Sequence, residues 1–428
     1  MTLLLTGATG FVGMELLARA MRDPDCRVVA LIRADDGAHA TQRLHEMLLS
    51  VFGTVEPYAR RVTAVAGDLE LPALGLDHAR VAALADVDEI IHAAASVSFD
   101  LTLQRSRAVN VAGTQRMLEL AAGLPRLRRF TYVSTAYVAG EHRGIFGESD
   151  FDVGQRFRNP YEQSKFEAEG LVRSCANRLP VTIVRPSIVV GDRHSGWTAS
   201  FNVLYWPLRA LSGGAYPILP ARRRAPVDVV SVEYVADAIC ALHALPGAAG
   251  ATFHLTASAA ASSIGELLDL ALERFEQRRP PLVFPALYRH VVHPLALRCA
   301  GAKRRRFLRA TETYLPYFAM RVHYDDAHAR AALDPFGIVP APLPEYFDRL
   351  VDYALAAQWG RRGVGRADAL DARPLRAATP VLTQNGPPRR TVRSTTDSGS
   401  RSSARSRQRG PSGPAPGRTR PSRPRRGT

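Results

Sequence analysis

Two side chains that could exchange a proton with a substrate, Tyr161 and Lys165, lie four positions apart. On a helix this spacing puts both on one face with their heads near each other. A tyrosine has an unperturbed pKa of about 10, and a nearby ammonium lowers that pKa by favouring the phenolate. A second hydroxyl, from Thr135 or Ser134, follows a predicted strand and could hold a substrate oxygen. The set predicts acid–base chemistry at an oxygen, although a Tyr-x-x-x-Lys pair alone is more often an ordinary surface pair.

A glycine-rich stretch near the amino terminus could hold the reactant that this chemistry needs. Its three glycines follow an apolar run at residues 3–5 and precede a helical apolar pattern at residues 14–21. Glycines in such a turn let a pyrophosphate reach the backbone N–H groups and the positive end of the helix dipole. The predicted cofactor residues of the turn are Thr6, Gly7, Thr9, Gly10, Phe11, Val12 and Gly13. Because the spacing is Gly-x-x-Gly-x-x-Gly, an ordinary glycine-rich loop is the alternative.

A second buried strand, predicted at residues 27–33, ends at Arg33, twenty positions after the last glycine of the turn. A carboxylate at this point would bind the free 2′-hydroxyl of an adenosine ribose, whereas an arginine would pair with a 2′-phosphate. Arg33 therefore predicts NADP, and Arg43 on the following helix could make a second phosphate contact. Asp35 and Asp36 follow closely, so NAD is not excluded, and a solvated arginine is the other alternative.

Strands and helices alternate regularly through the first half of the chain. Further buried strands are predicted at residues 61–69, 88–95, 129–133 and 181–184. The continuous apolar runs and the regular alternation predict an α/β fold with a doubly wound parallel Rossmann sheet. Ligands bind beyond the carboxyl ends of such strands. The residues predicted to meet the cofactor there are Asp68, Leu69, His92, Ala93 and Ala94.

The chain divides into three predicted segments. Residues 1–260 are expected to form an NADP-binding domain with interleaved substrate-domain segments, and residues 261–359 a smaller, mainly helical substrate-binding unit. Residues 360–428 form a tail rich in Arg, Ser and Pro, which we expect to be disordered because it cannot bury enough apolar area.

The tail also carries most of the charge. The formal net charge is +16, and residues 361–428 contain 17 arginines and three aspartates, which leaves only +2 for the rest of the chain. The tail has three interpretations: a solvated segment without function, a tether to anionic lipid or nucleic acid, or codons of an arbitrary reading frame. No specific nucleic-acid partner is predicted for the folded part.

Other features place the protein in the cytoplasm. The four cysteines lie far apart and predict buried thiols in a reducing compartment, and the first strand begins too early for a signal peptide to precede it. Prolines and charges interrupt the apolar stretch at residues 281–301, so it predicts no transmembrane span, although it could contact a membrane surface. The histidine spacing predicts no metal site. The oligomeric state cannot be read from the sequence.

The order of these motifs resembles the extended short-chain dehydrogenase/reductases. Within them it is similar to the fatty acyl-CoA reductase and thioester reductase branch, also called the male-sterility type. The main motifs are Thr-Gly-Ala-Thr-Gly-Phe-Val-Gly at 6–13, Ser-Thr-Ala-Tyr-Val at 134–138, Tyr-Glu-Gln-Ser-Lys at 161–165 and Arg-Pro-Ser-Ile-Val-Val-Gly-Asp at 185–192. The resemblance covers residues 1–260 well and residues 261–359 loosely.

The resemblance implies a chemistry and a set of residue roles. The implied catalytic residues are Thr135, Tyr161 and Lys165, with Ser134 as the second choice for the hydroxyl. The implied cofactor is NADPH, with its nicotinamide near Pro186, Ser187 and Ile188 and its ribose held by Lys165. The expected reaction is reduction of an acyl thioester on coenzyme A or a carrier protein to an aldehyde, or further to an alcohol.

Two basic runs could receive such a carrier, at residues 222–224 and 303–306, although solvated surface charge is the simpler interpretation. Two other functions stay open. An epimerase, dehydratase or hydroxysteroid-type dehydrogenase would use the same catalytic residues on a sugar nucleotide or ring alcohol. A non-catalytic NADP-binding partner protein would need neither Tyr161 nor Lys165.

Overall fold

The computed structural model describes residues 1–201 and 203–371. The strands are β1 Thr2–Thr6, β2 Arg27–Ile32, β3 Val62–Ala66, β4 Glu89–His92, β5 Arg129–Val133, β6 Arg143–Phe146, β7 Val181–Pro186, β8 Ile188–Val190, β9 Leu219–Pro220, β10 Pro226–Val227, β11 Val229–Ser231, β12 Thr252–Leu255, β13 Ser262–Ser263, β14 Leu282–Val283 and β15 Arg321–Tyr324.

The α-helices follow the same chain order. They are α1 Phe11–Ala20, α2 Gly37–Phe52, α3 His78–Ala82, α4 Leu103–Ala122, α5 Pro160–Ser174, α6 Tyr205–Ser212, α7 Val232–Ala244, α8 Ile264–Arg274, α9 Pro285–Leu287, α10 His293–Cys299, α11 Ala302–Glu312, α12 Ala327–Leu333, α13 Phe347–Ala356 and α14 Arg366–Asp371. A π-helical segment, Tyr288–Val292, joins α9 to α10.

Seven strands form one parallel sheet in the order β12-β7-β5-β4-β1-β2-β3. The register places Leu4 of β1 between Val29 of β2 and Ile90 of β4. The chain builds outward from β1 in both directions, which leaves a switch point beyond the carboxyl ends of β1 and β4 where such sheets bind ligands. The predicted doubly wound parallel sheet is confirmed.

Alternate residues of the central strand face opposite layers of helices, because successive side chains of a strand point to opposite faces. Leu5 packs in one core with Leu17 of α1, and Leu4 packs in another with Met117 of α4 and Val172 of α5. All five side chains are fully buried. Burial on both faces explains why β1 is a continuous apolar run in the sequence.

A further core forms beside the carboxyl edge of the sheet. There α6, α8 and α13 bring Leu208, Leu268 and Leu350 together. Two short parallel pairs tie this part to the sheet: β11 pairs with β8, which directly follows β7, and β15 pairs with β6, which lies in the connection between β5 and α5. Segments distant in sequence therefore meet beside the residues that follow β5 and β7.

The described fold continues beyond residue 360, where the composition places the start of the tail. Arg366 of α14 forms an ion pair with Glu15 of α1, and Ala369 packs in a small cluster with Trp197. These long-range contacts hold residues 361–371 against the fold, although the composition of this segment resembles that of the tail. Residues 372–428, the rest of the predicted tail, lie outside the described residues. In the described ranges, no helix is long and apolar enough to cross a membrane.

Candidate cofactor and catalytic site

The glycine turn closes tightly between β1 and α1. Gly7 has a φ of +76°, and its carbonyl accepts a hydrogen bond from Gly10 N at 2.8 Å. A Cβ on Gly13 would lie 2.0 Å from the Gly7 oxygen, and one on Gly7 would lie 2.8 Å from the nitrogen of Ala94. Side chains are therefore excluded at both positions. Because the N-cap, Gly10, has no side chain to occupy the first N–H groups of α1, these groups can serve an anionic ligand.

Four further predicted cofactor residues lie half-buried around the same turn: Thr9, Phe11, Val12 and Ala93. The ring of Phe11 is tilted against Trp197, with centroids 5.4 Å apart. The fourth strand ends at His92, three residues earlier than predicted, so Ala93 and Ala94 lie in the loop. Their small side chains let this loop run directly against the glycine turn.

Thr6 and His92 form a buried chain of hydrogen bonds behind the turn. Thr6 Oγ1 lies 2.7 Å from His92 Nδ1 and accepts a hydrogen bond from Ala94 N at 3.1 Å, while His92 Nε2 lies 3.1 Å from Thr114 Oγ1. Burial, together with the positive charge of Lys165, lowers the pKa of His92 to about 3. The ring is therefore neutral, and both side chains hold the ends of β1 and β4 in place.

Arg33 and Arg43 lie beside each other beyond β2. The Arg43 guanidinium donates a hydrogen bond to the Arg33 carbonyl, and the Arg33 side chain is exposed. Asp36 caps α2 by accepting a hydrogen bond from His39 N at 2.8 Å, and the Asp35 carboxylate lies 3.3 Å from the His39 ring. No carboxylate of the described residues forms an ion pair with either arginine. The structure thus brings together the two predicted phosphate ligands.

Asp68 and Leu69 follow β3 at the same edge of the sheet. The Asp68 carboxylate accepts a hydrogen bond from Glu70 N at 2.9 Å and so shapes its own turn. The Leu69 carbonyl accepts one from Arg116 at 2.6 Å, and a Cβ on Gly113 of α4 would lie 2.8 Å from Leu69 Cβ. Close approach of α4 therefore fixes this loop beside the glycine turn.

The hydroxyl that faces Tyr161 belongs to Thr135. It lies close enough to the Tyr161 phenol to oppose the rise in the pKa of that phenol, and it donates to the Pro186 carbonyl at 3.4 Å. Ser134 points elsewhere and donates to Glu169 at 2.6 Å. Burial raises the pKa of Tyr161 to about 12, with the Thr135 contact acting in the opposite direction. Tyr161 is therefore protonated at neutral pH and able to donate a proton.

The Lys165 ammonium is held by the fifth strand. It donates to Tyr132 Oη at 2.7 Å and to the Val133 carbonyl at 2.8 Å. Burial lowers the pKa of Lys165 to about 7, while the Glu169 carboxylate acts to raise it. The sequence predicted that Lys165 lowers the pKa of Tyr161. The structure differs, because burial of the phenol dominates and the ammonium is bound to β5.

A buried ion pair that the sequence did not indicate supports the predicted catalytic residues. Glu169 of α5 and Arg185 of β7 are both fully buried and 2.7 Å apart, and the same carboxylate receives the Ser134 hydroxyl. Arg185 also donates to the Asp150 carbonyl at 2.8 Å and lies 3.1 Å from His254 Nε2. The pair therefore joins α5, β7, β12 and the residue next to Thr135. Only the Arg-Pro-Ser motif could have drawn attention to Arg185.

Asn110 is a second positioning residue that the sequence reasoning did not assign to the site. Its side chain accepts a hydrogen bond from Ser96 N at 2.8 Å and donates to the Ser96 carbonyl at 3.1 Å and to Ser164 Oγ at 2.9 Å. Ser164 lies beside Lys165 on α5. Asn110 therefore fixes the loop after β4 against the helix that carries the catalytic candidates.

The segment Pro186, Ser187 and Ile188 leads from the sheet to an apolar cavity of about 90 Å³, which Ile188 lines. Other walls come from Leu208, Leu219, Leu268 and Tyr317. The Tyr317 hydroxyl donates to Glu162, the neighbour of Tyr161, at 2.7 Å. One end of the cavity is thereby tied to the start of α5.

Asp228 supplies a carboxyl group to the cavity wall. It accepts hydrogen bonds from Ala257 N at 2.8 Å and Ser258 N at 3.0 Å. Burial raises the pKa of Asp228 to about 6, although the hydrogen bonds it accepts act to lower it. The cavity therefore combines apolar walls with one carboxyl group that is ionised near neutral pH.

Comparison with known proteins identifies the family. The male sterility protein family matches residues 5–239 of this chain. An isonitrile lipopeptide synthase of Streptomyces coeruleorubidus is 36% identical over 244 residues, which make up 54% of this chain and 16% of that protein. The fatty acyl-CoA reductase wat of Drosophila melanogaster is 28% identical over 272 residues, 55% of this chain and 53% of that protein. The chain thus spans about half or less of these relatives.

Solved structures agree with this assignment. The terminal R domain of the myxalamid PKS-NRPS biosynthetic pathway has a TM-score of 0.69 at 26% identity, covering 84% of this chain and 92% of that one. The reductase domain of a non-ribosomal peptide synthetase from Mycobacterium tuberculosis has a TM-score of 0.64 at 26% identity, with the same two coverages. The family match includes the glycine turn, Arg33, Tyr161 and Lys165. The chain therefore belongs to the male sterility protein family, as its sequence motifs predicted.

Proposed function

We propose that this protein uses NADPH to reduce an acyl thioester to an aldehyde. The observation that carries the proposal is the position of two hydroxyl residues beside the cavity: Thr135 donates to the carbonyl of Pro186, two residues before the cavity-lining Ile188, and Tyr161 precedes Glu162, which binds the cavity-lining Tyr317. Relatives named as a fatty acyl-CoA reductase and as reductase domains of peptide synthetases support the same chemistry.

The residues of the turn fit a dinucleotide. Gly7 and Gly13 have no room for a side chain, and Gly10 leaves the first N–H groups of α1 free for a pyrophosphate. The exposed side chain of Arg33 and that of Arg43, whose guanidinium reaches the Arg33 carbonyl, favour a 2′-phosphate, because the nearby Asp36 is engaged in capping α2. Bound at this edge, NADPH supplies the hydride, and the segment after β7 would lie near its nicotinamide.

Two residues of the chain stabilise and neutralise the charge that develops on the substrate oxygen. Tyr161 and Thr135 hold the thioester carbonyl oxygen, stabilise the negative charge that develops on it, and Tyr161 donates its proton. The resulting hemithioacetal then collapses: its C–S bond breaks, its hydroxyl proton returns to the Tyr161 phenolate, and the departing thiolate takes a proton from water. The products are an aldehyde and a thiol. A second reduction at the same two hydroxyls would give an alcohol.

Lys165 has a supporting role in this scheme. Two of its three N–H donors bind Tyr132 and Val133, which leaves one for the ribose next to the nicotinamide. The ammonium also lies 4.3 Å from the centroid of the Tyr132 ring, so its position is fixed on several sides. We infer that Lys165 positions the cofactor and adds positive charge to the site.

The cavity and its surroundings support an apolar acyl group on an anionic carrier. The walls are mainly aliphatic and aromatic, which suits a hydrocarbon chain. All three arginines of the first basic run are exposed, but Arg223 pairs with Asp269 and Arg222 lies over the ring of Phe284, so Arg224 alone of the three has no such contact among the described residues. Arg224 could therefore meet a phosphate of coenzyme A or a carboxylate of a carrier protein.

The test is NADPH consumption with acyl thioesters of graded length, with the products identified by mass. Tyr161→Phe removes only the proton donor, so we expect turnover to fall about 10²- to 10⁴-fold with an unchanged unfolding temperature. Tyr346→Phe is the matched control, because its hydroxyl is buried without a described hydrogen-bond partner and the residue lies away from the triad. This control should retain full activity.

Two outcomes would contradict the proposal. Turnover of a sugar nucleotide or ring alcohol, with none on any thioester, would assign the site to an epimerase or alcohol dehydrogenase. Tight NADPH binding without turnover on any of these substrates would indicate a non-catalytic binding protein.

A further inference from the structure

An exposed apolar stripe lies on the helical segment that follows β14. Its members are Phe284, Leu287, Val291 and Leu295, whose residue exposures are 69%, 51%, 53% and 58%. Leu287, Val291 and Leu295 are spaced four positions apart on the helical path, which places them along one side of it, and Phe284 directly precedes its first residue. Large apolar side chains in such a row stand out from single exposed ones, which need no explanation.

The opposite side of this segment packs against the protein. The helical path runs without a break from α9 through the π-helical segment to α10, over residues 285–299. Tyr288 and His293 point inward and are each only 7% exposed. The segment is therefore amphipathic, with one side anchored and the apolar stripe facing outward.

The charges along this part of the sequence are positive, and the first carboxylate after it, Glu312, pairs with the inward-facing His293 at 2.9 Å. From residue 280 to residue 311 the sequence contains seven Lys and Arg residues and no Asp or Glu. Arg289, Arg298, Arg304 and Arg306 are exposed, and no carboxylate of the described residues forms an ion pair with them. A large apolar row flanked by unpaired arginines is the composition of a helix that lies in a membrane interface.

Charge also narrows the choice of partner. The tail of this chain carries a net +14 beyond residue 360, so like-charge repulsion opposes its docking on this segment. The same repulsion opposes pairing of two copies through it. A nucleic acid would match the charge but would leave the four apolar side chains without a partner. An anionic bilayer satisfies both features, since its headgroups attract arginine and its acyl chains accept the stripe.

We propose that residues 284–306 form a docking face for the surface of an anionic lipid bilayer. The face lies close to the substrate cavity in the fold. Leu282 of β14 pairs with Leu219 of β9, and Leu219 lines the cavity. Docking would thus place a wall of the cavity next to the lipid. The proposal concerns surface binding only and does not depend on the reaction.

The test is co-sedimentation of the full-length chain with phosphatidylcholine vesicles that contain or lack phosphatidylglycerol. The stripe variant carries Leu287→Ser, Val291→Ser and Leu295→Ser. The control variant carries Ile145→Ser, Phe336→Ser and Val339→Ser, which are equally apolar and exposed by 71%, 58% and 53%. Both keep every charge and the whole tail. We expect the stripe variant to lose about tenfold or more of its partitioning to anionic vesicles, and the control to stay near wild type.

Added salt separates the two driving forces. Binding by the tail alone is electrostatic and should vanish as salt rises, whereas the apolar part should persist in wild type and in the control. A second probe, Leu295→Trp, keeps a large apolar side chain and should show a blue-shifted emission with anionic vesicles. Equal binding by the two serine variants, or an unshifted tryptophan, would overturn the proposal. So would a wild-type dimer that the stripe variant converts to monomer, or capture of an acidic protein without vesicle binding.

Discussion

The proposed cofactor half and the proposed substrate half of the candidate site are built in different ways. The cofactor half consists largely of backbone, at the glycine turn, the loop after His92 and the strand end at Arg33. The substrate half consists of side chains from distant segments, such as Ile188, Leu268 and Tyr317, which meet only in the folded chain. The first half cannot accept added atoms, whereas the second can change volume. The two halves should therefore respond to mutation independently.

The largest effect is expected where the two halves join. Glu169→Gln leaves Arg185 buried without a carboxylate, and loss of one member of such a pair costs about 3–5 kcal/mol of unfolding free energy. Urea unfolding measures this. The control on the same helix is Glu167→Gln, which breaks a more exposed pair with Arg107 and should cost less than about 1 kcal/mol. Equal losses would show that burial of the first pair does not matter.

The same variant makes a prediction about pH. Burial alone would raise the pKa of Glu169, but the Arg185 charge holds that pKa below its usual value. A lowered folded-state pKa means that the stabilisation is present above the unfolded pKa of about 4.3 and is lost as the pH falls through the folded-state pKa. The stability difference between wild type and Glu169→Gln should therefore narrow on acidification. A constant difference would argue against the ionised pair.

The next effect concerns the cofactor half. In Gly13→Ala the new Cβ would lie 2.0 Å from the Gly7 oxygen, so the turn must shift, at a cost of about 3 kcal/mol. We expect a lower unfolding temperature and weaker NADPH binding by fluorescence titration. Gly37→Ala is the control, since nothing lies within 4 Å of its Cβ. Unchanged NADPH affinity in Gly13→Ala would show that the glycine turn does not bind the cofactor.

A smaller effect is expected in the substrate half. Leu268→Ala removes a cavity wall and should cost about 2 kcal/mol. The larger cavity should shift turnover toward longer acyl chains while the KM for NADPH stays unchanged. Leu48→Ala truncates an equally buried leucine on α2 and should lower stability without altering chain-length preference. The same shift in both variants would indicate a general loosening of the fold.

The smallest effect concerns the choice of cofactor. Arg33→Ser removes one cation from the proposed 2′-phosphate site, so the preference for NADPH over NADH should fall about tenfold, or 1.4 kcal/mol. Arg27→Ser, at the other end of β2, removes the same charge away from the site and should leave the preference unchanged. Matching preferences in the two variants would contradict the predicted role of Arg33.

The features that the sequence predicted correctly depend on short-range patterns. The sheet follows from continuous apolar strands, and the glycine turn from three glycines within seven residues. Both depend on neighbours in sequence, so both are visible without a structure. The position of Thr135 beside Tyr161 follows similarly from a strand end and a helix start, and its catalytic role stays a prediction.

The features that the sequence did not predict depend on contacts between residues far apart in the chain. The pairing of Glu169 with Arg185 depends on how α5 packs against β7. The position of the Lys165 ammonium depends on Tyr132, which lies near the end of β5. Neither has a local signature. The cavity walls come from helices whose apolar residues are typical of any core. The contacts of α14 are also long-range, so the composition alone predicted that the tail begins before this helix.

The contacts of α14 set a limit on how far this protein can be shortened. The Val364 carbonyl accepts a hydrogen bond from Trp197 Nε1 at 3.2 Å, and Trp197 packs against Phe11 at the glycine turn. Arg366 binds Glu15 on the helix that begins in that turn. A chain that ends at residue 360 would lack both contacts, so we expect the glycine turn and α1 to be less stable in it. A chain that ends at residue 371 would keep both contacts. The segment around residues 364–366 therefore helps to hold the glycine turn near the start of the chain in place.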